Sequence, residues 1–139
     1  MEDIIKAPLV DDSFIHFTYD DRAQEIIDSG KLLANPPYAK FGIAGVQAIS
    51  VKFGVFVPGV QLTHLMKTRR EDQKIVAVMF KTRTMPKVGY PEEVIWPEGV
   101  DVELNNPKII SVVQARRILA PRSDQDYRII YESFLASIV

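Results

Sequence analysis

The chain contains no cysteine and only two histidines, His16 and His64. The first absence excludes a disulfide framework and thiolate zinc sites, and two imidazoles argue against a histidine-rich metal centre. Neither sign of charge dominates: 17 basic and 18 acidic side chains leave a net charge of -1, so no global basic field draws the protein to nucleic acid. No apolar run reaches the roughly 18 residues that a membrane helix needs. The opening MEDIIKAPLVDDSF is acidic, with no basic stretch leading into a long apolar one. A cytoplasmic protein without membrane association is therefore expected. P-loop, GxGxxG, GxSxG and HExxH motifs are all missing, as are internal repeats and low-complexity segments.

What is present is an ordinary globular composition, 47% apolar and 25% charged over 139 residues, which predicts one α+β domain spanning 1–139. FIHFT, at 14–18, is aromatic and β-branched enough for a strand, with His16 and Thr18 on one face and Ile15 and Phe17 on the other. A helix over 21–29 should follow. Asp20 or Asp21 is its cap, Asp21 and Gln24 have capping-box spacing, Ala23, Ile26 and Ile27 form its apolar stripe, and Gly30 is its stop. The proline-rich 31–45 reads as a loop, VQAISVKFGVFV as strand-like and VQLTHLMKT as a short helix. KIVAVMFKT, at 74–82, is the clearest central strand; EEVIWP at 92–97 and KIISVVQARRIL at 108–119 read as two more. After Asp124, apolar residues at three-four spacing predict a terminal amphipathic helix.

Few polar residues fall on these strands in positions to do chemistry. His16 and Thr18 can meet one edge of a ligand such as a carboxamide or ribose, whereas the plainer reading is a core histidine bonded to backbone. Glu93 opens a strand beside Trp96, where a partly desolvated carboxylate can accept from a hydroxyl; its plainer reading is a surface residue next to Glu92. Tyr38, Phe53 and Tyr90 offer rings able to stack on a base or nicotinamide, though most such rings simply pack. Lys67, Arg69, Arg70, Lys81, Arg83 and Lys87 read as a solvated rim, with a nucleic-acid acceptor as the alternative.

In order, HFTYDDRAQEIIDSG, then QAISVKF, then EEVIWP with KIISVVQARRIL resemble the motifs of the ADP-ribosyltransferase-like superfamily, and most closely its DarT-type DNA-modifying members. The first segment is similar to the family's strand ending in His-x-Thr and the helix after it. The second offers Ser50 where the family has a tyrosine or serine lining the nicotinamide pocket, with Phe53 as a stacking ring. The third opens on the glutamate. The resemblance covers roughly residues 13–119. It implies a single compact domain with a split, mostly antiparallel sheet and a few peripheral helices.

The same resemblance implies NAD as co-substrate, transfer of ADP-ribose to a nucleic-acid or protein acceptor, and an antitoxin partner as for toxins of this kind. It makes His16 and Glu93 catalytic, and His16, Thr18, Tyr38, Ser50 and Phe53 the NAD-binding set; charge alone adds Arg22 or Lys52 for the pyrophosphate. Two other functions remain open. One is a non-catalytic nucleotide- or protein-binding module of the same fold, which the missing tyrosine favours. The other is an NAD-dependent RNA 2′-phosphotransferase, which needs more basic and histidine residues than this chain has.

Overall fold

The structure, a computed structural model, describes residues 8–32, 46–52, 54, 56, 62–88, 94–96 and 101–119. Along these residues run β1 (Phe14–Tyr19), α1 (Asp20–Ser29), β2 (Lys31–Leu32), β3 (Val46–Ser50), α2 (Thr63–Thr68), β4 (Ile75–Lys81), β5 (Lys87–Val88), β6 (Val94–Trp96), β7 (Val102–Glu103), β8 (Asn105–Ser111) and α3 (Val112–Leu119). Six strands form one sheet in the order β5-β6-β3-β1-β4-β8, while β2 and β7 pair separately. Every pairing among the described residues is antiparallel. The result is a small α+β domain.

Side-chain alternation divides the sheet into two faces. Phe14, Val46, Ala48, Val78, Phe80, Val94 and Trp96 share one face and pack against Ala23 and Ile26 of α1 and against Leu32, Val102 and Leu104. Ile15, Ile49, Ala77 and Ile110 share the other face and pack against Leu62, before α2, and Ala115 and Leu119 of α3. Trp96 is fully buried, edge-on to Phe14 with ring centroids 5.1 Å apart, and its indole N–H donates to the Thr84 carbonyl at 2.8 Å. A fully buried ring of that size needs such an acceptor, because its one polar atom has no water to bond.

The β1 and α1 expectations hold with one change at the helix start. α1 begins at Asp20 after Tyr19, which makes no side-chain capping bond; Gly30 ends it with φ 72° and an N–H bond to the Ile26 carbonyl at 2.8 Å. The two acids expected to cap the helix reach across to the turn before β4. Asp20 accepts the Lys74 amide at 3.1 Å, and Asp21 accepts from the Gln73 amide at 3.2 Å and from the Arg70 guanidinium at 3.2 Å. Both still lie where the helix dipole favours negative charge.

The strand expected across 108–119 is a correction. β8 ends at Ser111, and VVQARRIL is helical. The Ser111 hydroxyl accepts the Gln114 amide at 3.0 Å, and the Gln114 side-chain oxygen accepts the Ser111 amide at 2.9 Å. This is a reciprocal capping box, and it turns Ala115 and Leu119, four residues apart, toward one core. Among the described residues β8 is an edge strand, carrying Pro107 and Lys108; its register shifts opposite Met79 and Lys81, next to Asn106 at φ 51°. The loop expected over 31–45 opens instead as a strand, β2, whose Lys31 and Leu32 pair with Glu103 and Val102; its remainder and the C-terminal amphipathic helix lie outside the described residues.

Candidate functional site

β1 runs through the middle of the sheet, between β3 and β4, yet its two sides differ. Toward β4 it is paired along its whole length, from Phe14 opposite Phe80 to Tyr19 opposite Ile75. Toward β3 the ladder consists of Phe14 opposite Ser50 and Ile15 opposite Ile49. Continued in register it would bring Phe17 opposite Gln47, whose carbonyl would then meet a main-chain amide. Instead the ladder stops, and the His16 ring takes that place: Nδ1 lies 2.7 Å from the Gln47 carbonyl oxygen.

A carbonyl only accepts, so Nδ1 carries the proton in this bond. His16 keeps some accessible surface, and Nε2 has no hydrogen-bond partner among the described residues. Dense packing around the ring pushes its pKa below the ordinary histidine value, while the bond to Gln47 acts weakly the other way. The ring is neutral at physiological pH, with its acceptor lone pair on Nε2. The strand histidine is therefore both a strut across the β1–β3 seam and a polar group with one nitrogen unbonded among the described residues.

Thr18 shares that face but is only 5% exposed. Ser50, 4% exposed, lies opposite Phe14, and its hydroxyl donates to the Asp12 carboxylate. Asp12 is the residue that sequence reasoning missed. Its other oxygen accepts the Ser13 amide at 2.7 Å and the Lys52 amide at 3.1 Å, so one largely buried carboxylate fastens the start of β1 to the end of β3. No pattern in the Asp-Ser pair before FIHF marks it, since its local bond goes to the amide one residue on and not two, as in an Asx-turn. Nothing local identified its partner 38 residues on.

The charged candidates have protein partners. The Lys52 ammonium pairs with Asp11 at 2.7 Å; that hydrogen bond and the lysine charge hold the exposed Asp11 carboxyl below its ordinary pKa. Arg22 lies over the Tyr19 ring, 5.1 Å from its centroid. Arg69 donates to the Gln73 carbonyl at 2.7 Å. β4, seven residues long and so about 20 Å end to end, separates the Arg69–Arg70 turn from Lys81 and Arg83. The two groups do not make one basic patch. An open depression of about 310 Å³ lined by Asp20, Asp21, Arg70, Asp72 and Gln73 lies at the α1 start and does not include His16.

Glu93, Tyr38 and Phe53 lie outside the described residues. The residue after Glu93, Val94, pairs with Ala48 of β3, so the third motif's strand adjoins the second motif's strand, which in turn adjoins β1. Among the described residues no helix is long and apolar enough to cross a membrane, and no cluster of three or more His, Cys, Asp or Glu side chains is arranged to hold a metal ion. Scanned against protein-family models, curated proteins and solved structures, the chain matches none.

Proposed function

We propose that this domain is an NAD-dependent mono-ADP-ribosyltransferase with an ADP-ribosyltransferase-like fold, acting on a nucleic-acid or protein acceptor. The observation that supports it best is the neighbourhood of β6, β3 and β1. These strands carry or directly follow the three segments that resemble the family's motifs, and they come together from positions 14–19, 46–50 and 94–96. A cytoplasmic location and an antitoxin partner belong to the same reading.

The residues present fit NAD in part. Nε2 of His16, without a hydrogen-bond partner among the described residues, is the atom left to accept from a ribose hydroxyl, whereas the Ser50 hydroxyl is given to Asp12 and Thr18 is buried. In this reading His16 orients the ribose, and Phe53 or Tyr38 stacks on the nicotinamide. Glu93 accepts from the nicotinamide-ribose hydroxyl and offsets positive charge at the anomeric carbon as the C–N bond breaks. Nicotinamide leaves with the bonding electron pair, and the acceptor's nucleophilic atom forms the new bond to that carbon and releases its proton. One preorganised group of this kind lowers a barrier by about 3 kcal/mol, roughly a hundredfold in rate.

Incubating the protein with NAD and DNA, RNA or protein acceptors, and measuring nicotinamide, tests the proposal. Wild type should release nicotinamide, and Glu93→Gln should do so about a hundredfold more slowly. No release together with no NAD binding by calorimetry overturns it. The commitment of Ser50 to Asp12 favours a second reading, a binding module without turnover. NAD binding with no release by wild type under any acceptor decides for that module. Removal of phosphate from 2′-phosphorylated RNA would point to the 2′-phosphotransferase instead.

A further inference from the structure

One face of the sheet is covered unevenly. Ile15, Ile49, Ala77 and Ile110 are buried there, whereas Phe17, Ile75 and Met79, on β1 and β4 beside them, are only partly buried. Strands lie about 4.8 Å apart and packed helices about 8–10 Å, so one helix roofs roughly two strands. α3 does this for β4 and β8, through Ala115 and Leu119. Phe56 stacks on Phe17 with ring centroids 5.2 Å apart. α2 is six residues long, about 9 Å, and reaches the face only through Leu65 and the Leu62 before it. Among the described residues no longer element lies over β1 on this side, and Ile118 on the flank of α3 is likewise only partly buried.

The sequence after α3 supplies a cover for that face. Leu119 is followed by the link APRS at 120–123 and then by 124–139, where Tyr127, Ile130, Tyr131, Phe134, Leu135 and Ile138 recur at three-four spacing. A four-residue link spans at most about 14 Å. Links this short join helices that lie side by side and antiparallel. Because Ala115 and Leu119 anchor α3 on the unevenly covered face, a helix returning beside it meets the same face.

We infer that residues 124–139 fold back beside α3 as an amphipathic helix and seat their apolar stripe on Phe17, Ile75 and Met79. The occupant is this chain's own segment, because the link holds it within reach of the face at all times, whereas the segment of a second copy must arrive by diffusion. Alternation along β1 puts this face on the other side of the sheet from His16 and Thr18. The inference therefore stands whether or not the domain turns over NAD.

The test is photocrosslinking of the full chain with p-benzoylphenylalanine in place of Phe134, at low protein concentration, with the products mapped by mass spectrometry. The ketone should insert into Met79 or into another residue of β1, β4 or α3 of the same molecule. Insertion between copies, read from a mixture of isotope-labelled and unlabelled chains, assigns the face to a second copy and overturns the inference. Insertion only elsewhere, or none, overturns it too. Peroxide oxidation of the methionines gives a second reading. Met66 and Met85 are 65% and 71% exposed and should oxidise fast in every variant. Met79 should oxidise about tenfold more slowly than these in wild type and several-fold faster in Phe134→Asp, with unfolding still cooperative, because sulfoxide formation follows exposure. Arg128→Gln, on the polar side of the segment, should leave the Met79 rate unchanged. An unaltered Met79 rate in a folded Phe134→Asp protein overturns the inference; if that variant does not fold, the crosslink decides alone.

Discussion

Replacing Asp12 with alanine removes a carboxylate that accepts three hydrogen bonds, from the Ser50 hydroxyl and from the Ser13 and Lys52 amides. Hydrogen bonds to a charged group contribute about 1.5–3 kcal/mol each. The two amides are only partly buried and regain water in the variant, so they count at the low end or below it. Ser50, at 4% exposed, does not regain water. The sum is about 3–5 kcal/mol, a large share of the roughly 5–15 kcal/mol that holds a domain of this size together. With a urea m-value near 2 kcal/mol per molar, the unfolding midpoint should fall by about 2 M. Asp12→Asn keeps an oxygen for the two amides and loses the charged acceptor for Ser50, so it should cost about half as much. Equilibrium urea unfolding followed by Trp96 fluorescence measures both. A midpoint shift under about 0.5 M for Asp12→Ala, or equal shifts for the two variants, would show that this carboxylate does not fasten β1 to β3.

Gly54→Ala places a Cβ 2.6 Å from the Ser50 carbonyl oxygen and 2.9 Å from its amide nitrogen, backbone atoms that cannot swing aside. It should cost about 1–3 kcal/mol, read as a lowered thermal midpoint; an unchanged midpoint contradicts the close approach. Ser111→Ala removes one half of the capping box at α3 and should cost about 1 kcal/mol in urea unfolding; no loss would mean that the box is decorative. His16 has a folded pKa below its unfolded value near 6.5, so the unfolded chain binds the extra proton in the window just below 6.5. Its stability contribution is full above that pH and is lost as pH falls toward the folded value, at up to about 1.4 kcal/mol per pH unit. The stability difference between about pH 7.5 and about pH 5.5 should be smaller in His16→Asn than in wild type; equal differences would place the titration elsewhere.

The strands that were legible in the sequence are those whose pattern is set locally. FIHFT and KIVAVMFK have the alternation or continuous apolar content that a paired strand requires, and Gly30 ended α1 because a left-handed residue was needed there. The segment 108–119 was misread because its β-branched run, KIISVV, outweighed the Ser-x-x-Gln signature in its middle. The capping box is a local signal too, and it prevailed because Ala115 and Leu119 then reach the core. At the candidate site the shared face of His16 and Thr18 followed from period two alone. The engagement of Ser50 did not, since it depends on a carboxylate 38 residues earlier whose partner is fixed only by sheet register. The order β6-β3-β1 was likewise beyond reach of local pattern, because strand neighbours are chosen by the whole chain.

The outer rim of β8 bears on how these molecules behave when crowded. A foreign strand trying to lengthen the sheet there meets Pro107, which has no amide proton to give, a lysine charge at 108, and a kink at Asn106 that throws the spacing out of step. An intruder can neither zip up continuously nor approach without desolvating an ammonium group. That margin therefore resists runaway stacking of copies along β8.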